Sequence, residues 1–69
     1  MIVLVNGEET ELEAGAVIGD AARALGIDPF ARGIALALDG EVVPRSELAA
    51  RPLSEGQRVE VVTAMQGGC

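Results

Sequence analysis

The residues with chemical content stand together at the end of the chain, where Gly67-Gly68 precede a single Cys69. A glycine pair has no side chains, so it lets backbone thread a narrow channel in a partner and leaves the Gly68 carbonyl open to an incoming nucleophile. A free carboxylate is a poor acyl donor, so acyl chemistry at this point calls for a partner enzyme that uses ATP to form an acyl-adenylate. As written, the Gly68 carbonyl is tied up in an amide with Cys69. Three readings stay open: a peptidase removes Cys69 and exposes the Gly68 carboxylate; Cys69 is a residue added for labelling or ligation; or its thiol attacks the Gly68 carbonyl through a small ring, giving a thioester that sulfide could open. The blander reading of the same glycines is an unstructured chain end.

Little else in the chain can act as a catalyst. There is no His, Lys, Tyr or Trp, and the one cysteine lies in the tail, so the usual general bases and nucleophiles are missing and an independent enzyme is not expected. One cysteine makes no disulfide framework, and without histidine a structural zinc site lacks its ligands. No metal and no permanently bound cofactor is expected; ATP would be used by the partner. Five Arg against eleven Asp and Glu give a net charge of −6, which repels nucleic-acid phosphate and anionic membrane surfaces and suits a basic partner surface. No apolar run approaches the ~18 residues of a membrane span and no basic leader precedes one, so the cytoplasm is the expected location. The missing lysines fit either a biased amino-acid usage or a carrier that avoids acylating its own amines.

Five strands, one helix, a single helical turn and two tight turns must hold the tail in place. Ile2, Val3, Leu4 and Val5 form an apolar run that ends at Asn6-Gly7, a pair suited to a type I′ hairpin, and predict a second strand through about Leu12. The carboxylates of Glu8, Glu9, Glu11 and Glu13 read as a solvated edge, or as a docking edge or weak cation site. Val17, Ile18, Ala21, Ala22 and Leu25 share one helical face, which predicts a helix near 17–25 with Leu25 buried, stopping at Gly26 ahead of Pro29. Asp20 and Arg23 are spaced to pair on its surface. Gly33 to Leu38 reads as a buried strand, Asp39-Gly40 as a second tight turn, and Glu41 to Val43 as a short return. Ser46 is placed to cap one helical turn through Ala50. Val59, Val61 and Thr63 share one face of a last strand within 57–64. Phe30 is read as a plug beneath a loop, and Met65 as either a partner anchor or a capping core residue.

Two hairpins flanking one helix, with the last strand free to pair in parallel with the first, define an α+β chain with a mixed sheet and one main helix across it. This is the β-grasp arrangement; a small α+β sandwich of different strand order is the alternative. Residues 1–64 are expected to form the domain and 65–69 a flexible Gly-Gly tail. Nineteen Ile, Val and Leu residues make a core feasible without covalent staples.

The segments MIVLVNGE, RGIALALDGEVVPRSEL and VEVVTAMQGG resemble the ThiS family of sulfur carriers, over nearly the whole chain. The family is similar to ubiquitin in fold, as is the related molybdopterin-pathway carrier family, MoaD, which also ends in Gly-Gly. The Gln-Gly-Gly ending behind the last strand favours ThiS over MoaD. The resemblance implies that Gly68, after loss of Cys69, is adenylated by a ThiF-like adenylyltransferase, receives sulfur from a cysteine desulfurase-derived persulfide as a thiocarboxylate, and delivers it to a thiazole synthase in thiamine biosynthesis. Ala64, Met65, Gln66 and Gly67 would then lie in the partner's channel. A MoaD-like carrier, or a noncatalytic acidic interaction module, are the alternatives.

Overall fold

The apolar run Ile2–Val5 forms strand β1 and turns back through Asn6-Gly7 into β2, Glu8–Glu11, with Ile2 opposite Glu11 and Val5 opposite Glu8. The structure, a computed structural model, describes residues 1–63; Ala64, Met65, Gln66, Gly67, Gly68 and Cys69, the positions named above for chemistry and partner contact, lie outside the described residues. The turn has φ values of 53° at Asn6 and 86° at Gly7, the two successive left-handed residues of a type I′ hairpin. Asp39-Gly40 repeats it at φ 50° and 92°, joining β3, Ile34–Leu38, to β4, Glu41–Val43. Strand β5, Arg58–Thr63, runs between the hairpins, parallel to β1 and antiparallel to β3, giving the order β2-β1-β5-β3-β4. A parallel pair needs a long crossover, which helix α1, Ile18–Ala24, supplies on one face.

That face holds the core. Val3 and Val5 of β1, Leu36 and Leu38 of β3, Val43 of β4, and Val59 and Val61 of β5 are buried against Ile18, Ala21 and Ala22 of α1. Leu48 and Leu53, from the connection into β5, close the remaining side. The alternation of the strands with the helix spacing of α1 therefore meets in a single layer, and Phe30 packs partly buried at its rim, as a loop plug should. Helix α1 starts where the Val17 N–H donates to Asp20 Oδ2 at 2.9 Å, while Asp20 Oδ1 accepts from Arg23 at 3.3 Å. One carboxylate thus holds the helix start and pairs on its surface. The helix stops at Gly26, φ 79°, with the Ile27 N–H returning to the Ala22 carbonyl at 3.0 Å.

Two sequence expectations are corrected. Leu25 is 42% exposed: it stands past the last helical residue, Ala24, and Ile27 and Phe30 from the following loop cover the core there instead. Ser46 caps nothing; the turn at Arg45–Glu47 is a short 3-10 turn whose N-cap is Pro44. Proline presets φ near −61°, and its carbonyl accepts the Glu47 N–H at 2.9 Å, so no hydroxyl is required. Thr63 shares the face of Val59 and Val61 by alternation, as expected, and is exposed at the end of the strand. The sequence also concealed the closeness at Gly19, where the N–H donates to the Leu48 carbonyl at 2.9 Å and an added Cβ would stand 2.9 Å from that same oxygen.

These contacts separate two leucine-sized expectations. In urea denaturation Ile18→Ala, which empties a wholly buried site, should cost about 2 to 5 kcal/mol, while Leu25→Ala should cost less than about 1 kcal/mol. Gly19→Ala should destabilise although alanine is the better helix former, because the Leu48 carbonyl cannot give way without losing its bond.

Candidate functional site

Because the expected acyl position follows β5, the part of the site within the described residues is the strand that leads to it. Strand β5 is central, paired with β1 at Leu4–Arg58 and Val5–Val59 and with β3 from Leu38–Val59 to Ile34–Thr63. Its odd residues Val59 and Val61 point into the core, and Arg58, Glu60 and Val62 face outward. A strand anchored on both edges cannot follow a pull on its end without breaking ladder bonds on two sides.

Side chains of both hairpin turns reinforce it. Asp39 Oδ1 accepts the Arg58 N–H at 3.0 Å, Asp39 Oδ2 accepts from Gln57 Nε2 at 3.3 Å, and the Asp39 N–H donates to the Arg58 carbonyl at 2.8 Å. On the other edge the Asn6 N–H donates to the Val59 carbonyl at 2.9 Å, and the Asn6 side chain reaches Val61. Sequence reasoning took Asn6 and Asp39 only as turn formers. Their choice over glycine at the first turn position was the available signal, since both place a polar side chain beside the last strand.

Among the described residues the outer face of the sheet carries no helix, and beside Arg58 and Glu60 it presents exposed valines. Val62 lies opposite Ala35, and Val42 opposite Ala37; Val62 is 55% and Val42 76% exposed. This strip borders the end of β5. Across the sheet, Glu8, Glu9 and Glu11 are exposed on the β2 edge, with Glu13 just beyond. Among the described residues no three His, Cys, Asp or Glu side chains come together as a metal site. A surface hollow of about 630 Å³, lined by Leu4, Gly7, Gly40 and Glu60 among others, opens beside the first half of β5. Among the described residues no helix is long and apolar enough to cross a membrane.

A five-stranded mixed sheet in this order with one helix across it is the ubiquitin-like β-grasp. The sequence model of the ThiS family matches residues 3–68, and the chain belongs to the ThiS family of sulfur carrier proteins. It is 37% identical over 67 residues to the sulfur carrier protein ThiS of Thermus thermophilus, covering 97% of this chain and all of that one. The crystal structure of the thiamine biosynthesis protein ThiS from Geobacter metallireducens matches with a TM-score of 0.76 at 27% identity, covering 99% of this chain and all of the other.

Proposed function

We propose that the chain carries sulfur for thiamine biosynthesis as a thiocarboxylate at Gly68, exposed by removal of Cys69, and donates it to thiazole formation. The single observation that supports this reading is the extent of the family match, which runs through Gly68 and leaves Cys69 outside. In the first step the Gly68 carboxylate attacks the α-phosphate of ATP on a ThiF-like adenylyltransferase, forming the acyl-adenylate and releasing pyrophosphate. A persulfide sulfur from a cysteine desulfurase then displaces AMP, and cleavage of the S–S bond by a thiol leaves the thiocarboxylate. A thiazole synthase takes the sulfur. The chain contributes no acid or base to these steps; it is a protein cosubstrate rather than an enzyme.

The domain's part is recognition and delivery. Its net charge of −6, with four glutamates along the first hairpin and its exit, steers it toward a basic partner surface. The Val42–Val62 strip offers apolar contact beside the root of the tail, and Ala64, Met65, Gln66 and Gly67 pass through the partner's channel. Glycine at 67 and 68 suits a channel with no room for a Cβ.

Two measurements follow. A chain ending at Gly68 should support pyrophosphate–ATP exchange with a ThiF-like enzyme, and the chain ending at Cys69 should be silent until that residue is removed; one added residue moves the carboxylate by up to ~3.5 Å. Equal rates for both, with Cys69 still present by mass, would remove Gly68 as the acyl site. In stopped-flow mixing, association with that enzyme should slow about tenfold or more from low to high salt, with dissociation little changed. A flat salt dependence would leave the apolar strip and Met65 as the source of recognition.

A further inference from the structure

Strand β1 stops pairing one step too early to hold the end of β5. Its backbone partners are Leu4 with Arg58 and Val5 with Val59, after which the chain turns away through Asn6-Gly7. The next residue of β5 to face that edge, Val61, is nevertheless paired. Its N–H donates to Asn6 Oδ1 at 2.8 Å, and Asn6 Nδ2 donates to the Val61 carbonyl at 3.4 Å. One carboxamide thus supplies the acceptor and the donor that another residue of β1 would have supplied. Asparagine suits the position for two separate reasons. It tolerates the left-handed φ of 53°, as Asp and Gly also do, and it alone of these three carries both hydrogen-bonding groups.

We infer that Asn6 is a positioning residue for acyl transfer at Gly68: its side chain fixes how far β5 stays in the sheet, and with it the length of free chain that must carry Gly68 to the partner's nucleotide. This rests on the carrier reading above. Val61 is seven residues before Gly68. Releasing it on the β1 edge leaves the end of β5 held by β3 alone, and residues leaving the sheet lengthen the tether. A longer tether lowers the effective concentration of its end roughly as the −3/2 power of its length. Docking of the domain does not depend on that length. Loss of the clamp therefore falls on turnover, not on recognition. Asp39 is the natural comparison, because it grips β5 in a similar way but at Arg58, where the strand begins.

The test uses the chain ending at Gly68 with the adenylating enzyme, comparing wild type, Asn6→Gly, Asn6→Asp and Asp39→Gly. Pyrophosphate exchange gives kcat and KM, and amide hydrogen exchange reads Val61 and Arg58. Asn6→Gly should lower kcat about 1.5- to 2-fold, the effect of adding two or three residues to the five between Thr63 and Gly68, with KM unchanged, while Val61 exchanges at least about tenfold faster. Asn6→Asp, which keeps the acceptor and the turn but loses the donor, should fall between. Asp39→Gly should speed exchange at Arg58 and leave kcat unchanged. Should Asn6→Gly fail to fold, the Asn6→Asp split between kcat and KM decides by itself. Unchanged kcat despite faster Val61 exchange, a loss confined to KM, or an equal loss in Asp39→Gly would each overturn the inference. A wild-type chain without exchange activity would overturn the carrier reading and this inference with it.

Discussion

The parallel pairing of β1 with β5 is the contact from which the rest of this fold hangs. It joins the first residues of the chain to the last described strand, through the Leu4 N–H to the Gln57 carbonyl and the Asn6 N–H to the Val59 carbonyl, both at 2.9 Å. Joining them closes a loop of some fifty residues, at an entropic cost that grows only slowly with length. The return is that Val3, Val5, Val59 and Val61 stand side by side on one face, all buried. Helix α1 then has a surface to cover, and the two hairpins become the wings of one sheet. With no disulfide and a core one layer deep, nothing else could join the ends.

For the carrier function proposed above, the same constraint sets where β5 ends. Strand β5 has β1 on one edge at Arg58 and Val59, the Asn6 side chain at Val61, and β3 along the other edge as far as Thr63. The helix occupies one face of the sheet and leaves the other, with Val42 and Val62, open for contact. Glu8, Glu9 and Glu11 line the β2 edge, two strands from β5.

Much of this was legible in the residues because local chemistry and global fold agree there. Asn-Gly and Asp-Gly each admit few turns, and both fold as type I′ hairpins. The spacing of Ile18, Ala21 and Ala22 and the alternation through Val59 and Val61 are what burial selects. The errors came where periodicity outlasts the element that carries it. Leu25 continues the spacing of α1 but not its helix, which ends at Ala24. Pro44 displaced Ser46 because a preset φ and a free carbonyl start a short turn without a side-chain cap. What no periodicity encodes is a side chain standing in for backbone, as the Asn6 carboxamide does at Val61, or a backbone approach such as Gly19 to Leu48. The acyl position proposed at Gly68 rests on residue type and place alone and lies outside the described residues.

The central claim, that Gly68 carries the sulfur after Cys69 is lost, is tested most directly by the intact mass of the protein isolated from its own cells. The account predicts a species ending at Gly68, part of it with one oxygen replaced by sulfur and sensitive to alkylation at that atom. A protein that ends only at Cys69, with no sulfur-bearing form under conditions of thiamine demand, would contradict it.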